Sequence, residues 1–246
     1  MKFRIKKAYL VMLQFCVVCA MYSLFFFDRS TQRRLATEDG FIETLGALMF
    51  FVSSVGFGLA YLRSSRSKQD VEASVRQARK NIFYFLLSLM FLFGFLEEIS
   101  WGQRVFNIET PDMIAKVNLQ HEINLHNFEW FEGNDRSGNR KSFLPLLHNL
   151  DRLFSIFWFG FCVCVPLLGK FSRRVKKVFA RIRLPVIPIQ YAFLFPFTYV
   201  ASRVLTATYP ISHRDIVETK EAVFAILFAC VALELVYRLS KSPKVI

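Results

Sequence analysis

The chain is poor in cysteine, histidine and acids. Its 246 residues include 5 Cys, 4 His and 19 Asp or Glu, against 32 Lys or Arg. All five Cys (Cys16, Cys19, Cys162, Cys164 and Cys230) fall inside long apolar runs. A disulfide scaffold and a cysteine-based zinc site are therefore excluded. Cys162 and Cys164 stand two apart, on different faces of a helix, so packing is their expected role. No Gly-rich phosphate loop, Gly-x-Ser-x-Gly elbow or dinucleotide fingerprint occurs. There is no internal repeat.

Apolar residues are abundant. Hydrophobic types make up 54% of the chain and aromatics 16%, with 29 Phe. A disordered chain would be far poorer in both. Crossing roughly 30 Å of hydrocarbon takes about 20 apolar residues in a helix. Six segments meet or approach that length: 8–27, 41–62, 81–101, 153–171, 185–207 and 221–239. The expected fold is all-α, a polytopic transmembrane bundle of about six helices forming one domain over 1–246. Only the loop 102–152 is long enough to carry structure of its own. The first segment follows a basic start, as a signal peptide does. Its apolar run is too long for one and no cleavage site follows, so it is read as a retained helix.

Basic residues mark loops that stay in the cytoplasm. Of the 32 Lys and Arg, 20 fall in the N-terminus, the loops 63–80 and 170–183, and the tail from Arg238. Those stretches contain Asp70 and Glu72 as their acids, with Glu234 near the inner end of the last helix. Both termini are thus expected inside, in the inner membrane of a bacterium. The basicity reflects topology and not a nucleic-acid footprint, and the expected partners are membrane lipids. Glu234 and Arg238 are four apart and read as an ion pair.

The chemistry-bearing residues gather on the other side. Segment three ends Glu97-Glu98-Ile99-Ser100-Trp101-Gly102-Gln103-Arg104. Two adjacent carboxylates about a turn inside the membrane boundary are costly when ionised, and such a group can serve as general acid or base. Segment two opens Glu38-Asp39-Gly40-Phe41-Ile42-Glu43. Helix-dipole placement explains Glu38 and Asp39, and less readily Glu43. The outer loop contributes Gln120-His121-Glu122-Ile123-Asn124-Leu125-His126-Asn127. Glu122 and His126, four apart, converge if that stretch is helical. The spacing is not that of a zincin, because three residues separate Glu122 from His126. The competing reading of Glu97 and Glu98 is a helix end at headgroup level with two solvated acids, and that of the outer loop is an ordered loop tied by side-chain hydrogen bonds.

Arg203, just inside segment five, has three readings: snorkelling to the interface, pairing with Glu97 or Glu98, or gripping an anionic headgroup. Trp101, Trp130 and Tyr209 suit an interfacial aromatic belt. His148 and His213 have no near partner in sequence.

The strings Glu38-Asp39-Gly40-x-x-Glu43, Glu97 to Arg104 and Gln120-x-Glu122-x-Asn124-Leu125-His126-Asn127 together resemble a family of bacterial multi-pass inner-membrane proteins of no settled activity. The resemblance spans about residues 38 to 127 and implies location, not a reaction. The Glu97-Glu98 pair is also similar in type to that of the glutamate-type intramembrane proteases (Abi family). Those place Arg three residues after the second Glu, whereas five precede Arg104, and their intramembrane His residues have no counterpart here.

Two functions follow as expectations. The first is a membrane-embedded hydrolase or transferase acting on a lipid, lipid-linked or peptide substrate. Its catalytic candidates are Glu97, Glu98, Glu122, His126 and Arg104. Asp39, Glu43, Trp101, Gln103, Asn124, Asn127 and Arg203 would contact substrate. A divalent metal ion would sit on Glu98, Glu122 and His126. The second is a non-enzymatic sensor, assembly factor or transporter whose acids bind cations or hold helices together. Transport is the weaker of these, because no inverted repeat or midplane polar cluster is evident.

Overall fold

The computed structural model describes residues 2–36, 40–64, 80–125, 127–131, 149–209 and 213–241. Helix α1 (Lys2–Ser23) runs into a 3-10 turn at Leu24–Phe26. Asp28 then starts α2 (Arg29–Ala36), its Oδ1 accepting the backbone N–H of Ser30 at 3.0 Å and of Thr31 at 3.1 Å. This is N-capping in its usual form. Next come α3 (Phe41–Arg63) and α4 (Ile82–Glu98), then the short α5 (Gln103–Phe106) and α6 (Asp112–Ala115). Helix α7 (Leu150–Trp158) widens into a π turn over Phe159–Cys164 and continues as α8 (Val165–Phe171). The described chain closes with α9 (Arg173–Ile182), α10 (Tyr191–Thr208) and α11 (His213–Lys241).

All six apolar segments are helical. Among the described residues, four helices are long and apolar enough to cross a membrane: Ala8–Phe26, Phe41–Arg63, Arg152–Phe171 and His213–Lys241. Helices α4 and α10 are shorter, at 17 and 18 residues. The described residues contain no strand, only an isolated antiparallel bridge between Asn118 and Phe128.

Hydropathy misplaced several helix ends, for local reasons. Helix α4 stops at Glu98 and not Trp101, because Ser100, Trp101 and Gly102 take φ values of 47°, 55° and 81°. Helix α10 starts at Tyr191 and not at Pro185. Pro185 and Pro188 have no N–H to give to a helical ladder. Helix α11 starts two turns before Glu221, since Ile216 and Thr219, both wholly buried, continue its inward stripe. The basic stretch read as a loop over 170–183 contains α9.

Helices α3 and α11 approach closely through small residues. A Cβ on Gly56 would lie 2.8 Å from Ala232 Cβ, and one on Gly46 would lie 3.3 Å from Ala222 Cα. Small residues let helix backbones meet where lipid gives no hydrophobic drive between them. Helices α3 and α4 exchange a reciprocal pair of bonds: Ser54 Oγ donates to the Ser88 carbonyl (2.9 Å) and Ser88 Oγ to the Ser54 carbonyl (2.8 Å). Around this sits an aromatic core. The Phe228 ring is 4.7 Å from both Phe91 and Phe195, centroid to centroid.

A polar chain crosses the bundle nearer its other end. Gln14 Nε2 donates to Tyr191 Oη at 2.8 Å, and that hydroxyl donates to Glu234 Oε2 at 3.3 Å. Gln190 Nε2 reaches the same oxygen at 3.1 Å, while Arg238 pairs with Glu234 Oε1 at 2.8 Å. The expected ion pair is thus one link in a network joining α1, α10 and α11. At that same end Asn81 Nδ2 donates to the Arg183 carbonyl at 2.7 Å. Arg63 and Lys241 end their helices, Arg183 caps α9, Lys80 precedes α4 and Arg238 lies in the last turn of α11.

Candidate functional site

The start of α3, the end of α4, the start of α7 and the start of α11 meet at one end of the bundle. They enclose a cavity of about 390 Å³. Glu43 of α3, Glu97 and Glu98 of α4, and Glu122 of the following loop all line it. Four carboxylates from three separate stretches of sequence therefore share one space. Helix α11 adds Arg214, Glu218, Lys220 and Glu221. Six carboxylates thus face two cations. The cavity wall is aromatic, built from Phe91, Phe154, Phe157, Trp158 and Phe224 with Tyr199. Trp158 is the last residue before the π turn, so the widened backbone lies directly behind the wall.

The loop after α4 is held by side chains. Glu97 is 5% exposed. Its Oε1 accepts from Trp101 Nε1 at 2.6 Å and its Oε2 from the Leu125 amide at 2.7 Å. Glu122 Oε2 accepts from Ser100 Oγ at 2.6 Å and from Asn124 Nδ2 at 2.8 Å. Asn118, also buried, sends Nδ2 to the Asn124 carbonyl (2.7 Å) and takes the Gln120 and Glu122 amides on its Oδ1. Gln103 Oε1 accepts the Ile123 amide at 2.7 Å, and its Nε2 donates to Thr110 Oγ1. Asn127 Nδ2 donates to Gln120 Oε1. A segment with almost no repetitive structure is thereby fixed against the helix end, its buried backbone groups answered by side chains.

These bonds divide the candidates. Glu97 and Glu122 serve largely as acceptors that shape the loop. Glu43 and Glu98 are half-buried and line the cavity. Asn124 and Gln120 reach the lining, whereas Gln103, Trp101 and Asn127 do not line it and act as ties. Trp101 is 43% exposed and packs edge-on against Phe93, consistent with an interfacial place. Arg203 is exposed on α10 and does not line the cavity, so the cations beside the carboxylates come from α11. Asp39, His126, Glu38 and His148 lie outside the described residues, as does the side chain of Arg104. Residues 121–125 are not helical, and the pairing of Glu122 with His126 lies outside the described residues. His121 turns away, its Nδ1 sitting 2.8 Å from the Ala115 carbonyl. Among the described residues, no group of three or more His, Cys, Asp or Glu is arranged to hold a metal ion.

Reading the sequence missed Arg214, Glu218 and Lys220, and treated Glu221 only as a helix start. The signal was present: Arg214, Glu218 and Glu221 fall at i, i+4 and i+7, one helix face, opposite the buried Ile216, Thr219 and Val223. No family model, curated protein or solved structure matches this chain.

Proposed function

We propose that the protein is a six-span envelope protein, both termini cytoplasmic, that takes an amphiphile from the membrane into this cavity. The two shorter helices, α4 and α10, complete the spans. The acidic cavity then opens on the outer face, where the excess of acids over bases in the outer loops also places it. The resemblance to multi-pass inner-membrane proteins agrees with that location.

One observation carries the ligand class: six carboxylates and two cations sit at the rim of an aromatic-walled space. An alkyl chain lies against Phe91, Phe154, Phe157 and Phe224. A cationic head, an amine or quaternary ammonium, lies among Glu43, Glu98, Glu218 and Glu221. Aromatic faces such as Trp158 and Tyr199 attract cations as well as alkyl chains. An anionic head would meet like charge. Stabilisation by a small cationic amphiphile tests this. Decylammonium below its micellar concentration, at about 100 times its dissociation constant, stabilises the purified protein by about 2.7 kcal/mol. Decyl phosphate under the same conditions does not. Equal effects from the two reject the charge assignment.

A second reading adds chemistry at the same place. Glu43 and Glu98, from two helices, line one cavity. Two carboxylates in one space can divide the work of general base on a water and general acid toward a leaving group. This reading makes the protein a hydrolase or group transferase on the head of its amphiphile.

A further inference from the structure

Helix α9 has no role at the cavity, yet its sequence is the most polarised in the chain. From Lys170 to Leu184 there are seven Lys or Arg and no Asp or Glu. Val175, Val178, Phe179 and Ile182 fall at i, i+3, i+4 and i+7 and make one apolar stripe. Phe179 turns back on the preceding helix: a Cβ on Gly169 would lie 3.7 Å from its ring and 3.4 Å from Val186 Cγ1. Val175 is half-buried, and the outer part of the stripe is exposed. Val178 is 55% exposed, Ile182 51%, and the neighbouring Phe171 77%.

Position decides what covers it. Only Ser172 separates α9 from the apolar stretch Arg152–Phe171, and Ser172 Oγ caps the new helix by accepting the Val175 amide at 3.3 Å. A helix that begins one residue after a span ends starts at the membrane surface. Its far end is pinned too. Arg183 closes the helix at φ 61°, and its carbonyl takes the bond from Asn81 at the start of α4. The helix is therefore held across the end of the bundle, with its apolar stripe and cations on neighbouring faces. That is the build of an interfacial helix.

We propose that α9 docks on an anionic lipid surface. Val178, Ile182 and Phe171 enter the acyl boundary, and Arg173, Arg174, Lys176, Lys177 and Arg181 meet headgroup phosphates. A polybasic, acid-free face selects anionic over zwitterionic lipid. The inference rests on the membrane placement of the chain and not on the cavity, so it stands or falls separately from amphiphile binding.

The test uses the full-length protein in nanodiscs of phosphatidylcholine alone, or with roughly one-third phosphatidylglycerol. Amide hydrogen exchange is read over residues 173–183, with α3 as the internal check on folding. Anionic discs should slow exchange in α9 by about tenfold relative to zwitterionic discs. That gain should vanish in a variant carrying Arg173→Gln, Arg174→Gln, Lys176→Gln and Lys177→Gln, and shrink with Val178→Ser and Ile182→Ser. All six side chains are solvent-exposed, so the bundle should fold regardless, and α3 exchange reports whether it does. Equal exchange in the two discs, or a variant that keeps the full lipid response, overturns the proposal.

Discussion

Glu97 and Leu125 are 28 positions apart, and the Leu125 amide donates to Glu97 Oε2 at 2.7 Å. The other carboxylate oxygen holds the Trp101 indole at 2.6 Å. One side chain therefore sets both the turn that ends α4 and the approach of the loop behind it. Hydrogen bonds to a charged acceptor contribute about 1.5–3 kcal/mol each. Glu97→Gln keeps one acceptor oxygen and presents an N–H where a donor already sits. We expect a loss of about 2–4 kcal/mol in thermal unfolding, with faster amide exchange over residues 118–125. Loss of amphiphile binding should accompany the loosened loop.

Glu98→Gln separates chemistry from architecture. Glu98 lines the cavity beside Glu43. Gln has nearly the shape of Glu, and thermal unfolding of the variant, measured beside turnover, separates a loss of fold from a loss of chemistry. If the protein is a hydrolase, turnover should fall by about 10²–10⁴-fold, the usual contribution of a general acid or base. The readout is release of the head group from a lipid extract, compared with Glu43→Gln.

Gly102 stands in the left-handed region at φ 81°, the third such residue in a row. A Cβ there would also lie 3.1 Å from the Phe106 ring. Gly102→Ala should cost about 1–2 kcal/mol, because an L side chain is strained at that φ. Trp101→Gly is the informative contrast. It relieves strain at φ 55° but loses the bond to Glu97, so net destabilisation would mean the bond outweighs the strain. Chemical denaturation of both variants in mild detergent measures the balance.

Gly56→Ala tests the helix seam. The added methyl would lie 2.8 Å from Ala232 Cβ, and neither group is a flexible side-chain end. Helices α3 and α11 must separate, at about 1–3 kcal/mol. Gly160→Ala meets nothing within 4 Å and serves as the control. Thermal midpoints of the two variants should differ accordingly.

Acid should act late on the start of α2. The Ser30 hydroxyl, then the Thr31 hydroxyl and backbone amide, hold the Asp28 carboxyl well below the usual carboxylate range. Its folded-state value is thus depressed. The cap is present above the ordinary carboxylate range and is lost only as pH falls through the depressed value. Amide exchange at Ser30 and Thr31, corrected for intrinsic rate, should stay protected through the usual carboxylate range. Asp28→Ala should abolish that protection at every pH.

Much of this molecule is written in hydropathy. Runs near 20 apolar residues favour helices, so the all-helical fold and the four helices long and apolar enough to cross a membrane were legible from length. The gathering of Glu43, Glu97, Glu98 and Glu122 was legible from the side of the chain on which they fall. The bonds of Glu97 to Trp101 and Leu125 were not. Adjacent helical residues differ by about 100° in direction, and only the packed loop brings the Leu125 amide to Glu97. The loop itself lacks a repeating pattern, because Asn118, Gln103 and Glu122 organise it by single bonds. Glu218 was hidden by a boundary drawn where hydropathy falls, although buried Ile216 and Thr219 carry the helix two turns further.

Calorimetric titration of decylammonium into the purified protein, with decyl phosphate in parallel, addresses the cavity most directly. Saturable binding of the amine near one equivalent is expected, weakened by about tenfold for each 1.4 kcal/mol of attraction removed by Glu98→Gln and Glu221→Gln together. Decyl phosphate should show no saturable site. Equal binding of the two heads, or amine binding indifferent to both carboxylates, would contradict an acidic amphiphile site at this end of the bundle.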